Sequence, residues 1–227
     1  KRGGPHGRSV YLATSRDFRT WKEHGLIFHA DDRDQQMGRK LIETRFTDAT
    51  LQPLVARDAK FYNVDVYNMG IFRYESLYIG MPTFYYATGP SANGNNTDGF
   101  HLVQLACSRD LKQWRRLGGR RPFIGASRIG SGAYDLTGMI GPSNAVIRGD
   151  ELWFYYTSAK YRRTPAKNDV DRGAISLAVL RRDGFVSLDA GDQGGHVTSR
   201  PFQFPDGDLF VNASIKQKGA LVAELID

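Results

Sequence analysis

The sequence holds a single cysteine, Cys107, so no disulfide can form within the chain. That residue lies in the alternating apolar stretch "LVQLACSRD", where a free thiol acts as a small buried hydrophobe. No Cys/His cluster has zinc spacing, and neither a metal site nor a cofactor motif is evident. Long apolar runs are missing too: none approaches the ~18 residues of a membrane span, so no membrane partner is expected. The opening "KRGGPHGRSV" is basic but has no apolar core segment, so no signal peptide is visible. Acidic residues are outnumbered, 24 against 31 Lys and Arg, which leaves a net charge of +7. The basic clusters "RRLGGRR", "KYRR" and "RR" at 181–182 flank strand-like runs, as solvated edges and turns do. No helix-turn-helix, RNP or zinc-finger pattern accompanies them, so nucleic acid is not an expected partner.

Helical periodicity is scarce as well. What the chain does contain, within its 227 residues, is a series of runs rich in β-branched and aromatic residues: "SVYLATS", "LYIGMPTFYYATG", "FHLVQLACS", "ELWFYYTS" and "AISLAVL". Gly, Pro, Asn and Asp clusters bound each of them, which is the signature of strands. An all-β fold is expected.

One stretch is written twice. "SRDFRTWKEHG" at 15–25 returns as "SRDLKQWRRLG" at 108–118. Asp suits a turn, and Trp buries a large apolar face, so each copy reads as a turn plus an outer strand rather than as catalytic residues. A second register carries Asp65-Val-Tyr-Asn-Met onto Asp135-Leu-Thr-Gly-Met and Tyr85-Tyr86 onto Tyr155-Tyr156, both at an offset of 70 residues. Residues 65–124 and 135–190 then read as two units of about four strands, and 9–29 as the last two strands of a third. Four strands per unit at this period is the arithmetic of a β-propeller. Residues 30–60 read as a polar connection, 90–99 as a loop, and 201–227 as a β-hairpin opening a further β-domain, which leaves 1–200 as an incomplete propeller. About two and a half units cannot close such a ring alone. Either the chain belongs to a longer protein or a second copy completes it as a homo-oligomer.

The two Ser-Arg-Asp-x-x-x-Trp stretches, together with "RGDELWFYYTSAKY", "DVYNMGIFRYESLYIG", "GAYDLTGMIGPSNAVIRGDELWFYYT" and "LRRDGFVSLDAG", resemble five-bladed propellers of the glycoside hydrolase family 32 and 43 type. The likeness is greatest to bacterial family-32-like proteins that add a C-terminal β-sandwich. The resemblance implies a glycosidase acting on an oligosaccharide or polysaccharide, with inner-strand carboxylates converging on a central funnel. It also implies a bacterial form, periplasmic or secreted, although the residues themselves fix no compartment. A glycosidic bond needs a proton on its leaving oxygen and a negative charge facing the oxocarbenium-like centre.

On that resemblance Asp65 takes the place of the second unit's stabilising carboxylate and Asp135 that of the third unit's acid. The family's usual Glu is absent, since the matching stretch reads "MIGPSNAV". A repeated structural role, accepting backbone N–H groups, is the alternative for both aspartates. Tyr67, His101 and Tyr134 are candidate sugar contacts, Arg73 a candidate funnel residue or turn flank, and Glu75 a turn residue. A non-catalytic carbohydrate-binding or assembly module is the rival to the enzyme.

Overall fold

The computed structural model describes residues 5–91, 96–162, 170–203, 206–216 and 218–226. The chain divides into two compact units, Lys1–Arg182 and Asp183–Asp227. The first unit is mostly β, built from several antiparallel sheets. Strands β1 (Val10–Thr14) and β2 (Lys22–Phe28) form a hairpin, and helix α1 (Asp32–Thr47) follows. Next come β3 (Asn63–Tyr74), β4 (Leu77–Pro90), β5 (Thr97–Val103), β6 (Ala106–Ser108) and β7 (Arg115–Arg116). β4 is the centre of this sheet: β3 lines one edge, β5 and β6 share the other in one continuous register, and β7 adds to β6. The last sheet contains β8 (Gly138–Ile140), β9 (Val146–Arg148), β10 (Glu151–Ala159) and β11 (Gly173–Arg181). There β8 and β9 share one edge of β10, and β11 takes the other.

The duplicated Ser-Arg-Asp stretch is one turn made twice. The Asp17 carboxylate accepts the N–H groups of Arg19 and Thr20, both at 2.8 Å, while the Ser15 hydroxyl donates to it at 3.0 Å. Asp110 accepts from Lys112 and Gln113 at 2.9 and 2.8 Å, with Ser108 donating at 3.0 Å. The turn is therefore locally encoded: a short carboxylate stands in for backbone acceptors the chain has turned away from. The two tryptophans part company. Trp114 packs onto Gly80, where an added Cβ would sit 2.7 Å from the ring, and meets Phe28 edge-on. Trp21, expected to be buried, is 51% exposed with only Phe18 against it.

The ladders correct the second register. The two-residue hairpin turns Glu75-Ser76 and Gly149-Asp150 lie 74 residues apart, not 70. Pairing on the far edge agrees, since Ile79 faces Cys107 and Trp153, 74 positions on, faces Val179. Tyr85 is thus equivalent to Ala159. Because Asp65 pairs with Tyr85 and Gly138 with Ala159, Asp65 corresponds to Gly138, and Asp135 lies three residues ahead of that position. The tyrosine pairs match in sequence because a shift of four, being even, leaves every side chain on the same face.

Residues 30–60 are not merely a connection. Asp31 caps α1 and Asp34 returns the bond, a reciprocal capping box that satisfies two N–H groups of the first turn. The buried face of α1 is Asp34, Gly38, Ile42 and Arg45, helical in spacing but largely polar in identity. Arg116 and Arg120 neutralise Asp34. Arg45 lies over the Phe100 ring and donates to the carbonyls of Gln52 and Leu136. The side chain of Gln35 bonds both the N–H and the carbonyl of Val64, closing the outer edge of β3 as another strand would.

In the second unit the described residues form no helix or strand. The hairpin expected over 201–227 and the outer strand expected near 185–190 are absent among them; Gln217, in the expected turn, lies outside the described residues, as do residues 92–95 of the 90–99 loop. Val211, Ile215, Leu221 and Val222 are all exposed, and a two-stranded ribbon with no face to bury is marginal in water.

Candidate functional site

Three strands bring a row of chemistry together. Asp65 on β3 pairs with Tyr85 on β4, and Tyr85 pairs with His101 on β5, so all three side chains share one face of the sheet. A register shift between Val66 and Asn68 lets Tyr67 join them; its ring meets His101 at 4.8 Å and Tyr85 at 6.5 Å, centroid to centroid. Tyr67 stays 41% exposed and forms the accessible edge of the cluster, whereas Asp65, Tyr85 and His101 are buried.

Two arginines that the sequence pattern does not single out complete the site. Arg8 holds both oxygens of Asp65 through Nε at 3.1 Å, with an ion-pair contact of 2.9 Å from its Nη2. Its backbone carbonyl accepts the Val66 N–H, which fixes the approach. The same guanidinium lies 4.8 Å from the Tyr67 centroid and 4.9 Å from that of Tyr85. Arg162 covers Tyr85 at 4.0 Å and points Nη1 at His101 Nε2, 3.3 Å away. Tyr85 therefore touches two cations. Its hydroxyl donates to the Thr97 carbonyl, and burial pushes its pKa up.

His101 is kept neutral. Burial first, and then the charges of Arg162 and Arg8, lower its pKa to about 3. A guanidinium can only donate, so Nε2 is the acceptor and the ring proton resides on Nδ1. That Nδ1 is buried with no partner among the described residues.

The remaining candidates lie elsewhere. The Asp135 carboxylate accepts the Tyr156 hydroxyl at 2.7 Å. Burial and that carboxylate together push the Tyr156 pKa up, so the phenol keeps its proton and donates it. Thr137, two residues on, links the sheets: its carbonyl accepts the His101 N–H and its own N–H donates to Ala159. Asp65 and Asp135 share no hydrogen-bond partner among the described residues. Tyr134 donates to Asp171, while Lys160 sits over its ring at 4.5 Å and pairs with the same carboxylate at 2.7 Å. Arg73 lies at the far end of β3, its Nε donating to the Glu75 carbonyl across the hairpin turn, away from Asp65. Asp98, buried on β5, spends Oδ2 on the N–H groups of Val55 and Ala56.

The row can bind a small polar ring system. Tyr67 offers an exposed aromatic face, and Asp65 with its arginine clamp offers fixed acceptors and donors beside it. No group of three or more His, Cys, Asp and Glu among the described residues is arranged to hold a metal ion.

No family profile and no curated protein matches the sequence. Among solved structures, one described as "Glycoside hydrolase" is similar at 17% identity with a TM-score of 0.36, covering 64% of this chain and 41% of its own. A second, described as a complex of BT0996 and RGII, is similar at 16% identity with a TM-score of 0.33, covering 64% and 40%. The chain thus spans about two fifths of the length of these structures.

Proposed function

We propose that the chain contributes a saccharide-binding wall to a glycoside hydrolase-like β-repeat protein of propeller type, its sheets being successive blades. The observation that carries the reading is the Asp65–Tyr85–His101 row with Tyr67 exposed beside it. A pyranose ring stacks its C–H face on Tyr67, and the Asp65–Arg8 pair fixes its hydroxyls. Asp65, held on both oxygens by a cation, suits a charge-stabilising role rather than proton donation. Hydrolysis needs two carboxylates flanking one bond. Asp65 would supply one, and the other has to come from Asp135 or from a part of the protein beyond this chain.

A non-catalytic binding module is the second reading. It is favoured by the separate engagement of Asp65 with Arg8 and Asp135 with Tyr156. One experiment divides the two. The full chain is titrated with an oligosaccharide panel by calorimetry and assayed on aryl glycosides. Binding that Tyr67→Ala weakens tenfold or more, with turnover abolished in Asp65→Asn, supports the enzyme. Binding without turnover supports the module. A chain that binds no saccharide at all refutes both.

A further inference from the structure

Resting on the saccharide reading above, we propose that the ligand is an acidic sugar, its oxyanion held by Arg162. The site has more cationic than anionic groups in contact. Asp65 is occupied by Arg8, and Asp98, which lines the same small hollow as Arg162, bonds the backbone of Val55 and Ala56 and makes no ion pair with it. Arg162 is left with an aromatic face beneath it and a neutral histidine at Nη1. Its Nε is buried without an acceptor, and so is Nδ1 of His101. Leaving such donors unmade costs about 1–3 kcal/mol each. Packing alone does not account for a half-buried guanidinium stacked flat on Tyr85 with its charge unanswered. A planar fork on an aromatic platform is the arrangement that recognises a carboxylate or sulfate, and a neutral pyranose would leave it unmatched.

The oxyanion has two chemical sources, a uronate or a sulfate ester, and both enter the test. The full chain is titrated by calorimetry with a glucuronate-terminated trisaccharide, its methyl ester and a 6-O-sulfated counterpart. The uronate is expected to bind at least tenfold tighter than the ester, and the preference should fall as salt is raised. Arg162→Gln removes the preference while leaving ester binding unchanged; Arg19→Gln, on an exposed turn, leaves both unchanged. Sulfate binding as tight as the uronate assigns the site to oxyanions in general, and uronate binding alone assigns it to carboxylates. Equal affinity for uronate and ester overturns the inference while the saccharide reading stands. Absence of binding to all three, and to neutral sugars, overturns both. Should Arg162→Gln fail to fold, the contrast between uronate and ester in the unaltered chain decides.

Discussion

Phe18 and Leu111 occupy the same step of two turns ninety-three residues apart, and both hold a left-handed backbone, with φ of 57° and 63°. Asp183, at the start of the stretch after β11, adopts 62°. Side chains with a Cβ are disfavoured there by roughly 1–2 kcal/mol, and Asn tolerates the region better than Phe. Phe18 is 83% exposed, so its replacement forfeits little burial. Phe18→Asn should therefore raise stability by up to ~1 kcal/mol, and Phe18→Val should lower it. Urea unfolding of the two variants checks this; an order of Val above Asn rules out the strain account.

His101 makes stability depend on pH. Its folded pKa, about 3, lies below the ordinary histidine value of about 6.5. Between those values the unfolded chain binds a proton that the folded chain refuses. The contribution is complete above pH ~6.5 and is lost progressively as pH falls toward 3. Unfolding free energy measured from pH 7.5 to 4.5 should decline more steeply in the native chain than in His101→Asn. Parallel slopes would mean that the ring is protonated in the fold despite Arg162 and Arg8.

How much of the fold is legible in the sequence depends on how local each cause is. The Ser-Arg-Asp turns are readable because Asp17 and Asp110 bond N–H groups two and three residues away. The repeat is readable in kind but misplaced by four residues, since alternation in a strand does not distinguish even shifts. Helix α1 escapes notice because its buried stripe contains Asp34, Gly38 and Arg45, made compatible with burial by Arg116, Val64 and Phe100 far along the chain. The Asp31–Asp34 capping box is the available signal. Asp65, Tyr67 and His101 stand out in the sequence and do meet. Arg8 and Arg162 do not stand out, because nothing in "PHGRSV" or "KYRR" marks a side chain whose partners lie about sixty residues away.

Gly38 is where α1 comes nearest to the sheet. A Cβ built there would lie 2.1 Å from Val64 Cγ2. Helix propensity alone favours Ala over Gly by about 1 kcal/mol. Overpacking at so close a contact costs about 1–3 kcal/mol and should prevail. Gly38→Ala is expected to lower the unfolding midpoint, and the double variant with Val64→Ala to recover part of the loss. If Gly38→Ala proves neutral or stabilising, the helix does not pack on β3 this closely.

The β10–β11 sheet leaves one face bare. Tyr155 pairs with Leu177, Trp153 with Val179 and Thr157 with Ile175, and Tyr155, Leu177, Val179 and Ile175 are all exposed. Neighbouring apolar side chains on a sheet face make a continuous patch, which is unusual on a solvated surface. Such a patch should bind an environment-sensitive dye such as anilinonaphthalene sulfonate in the native state. Ile175→Thr with Val179→Thr keeps β-branching while adding hydroxyls, so the sheet should persist. Dye emission should fall by half or more with the far-UV circular dichroism unchanged. Undiminished emission would place the dye elsewhere and show that this face is covered in solution.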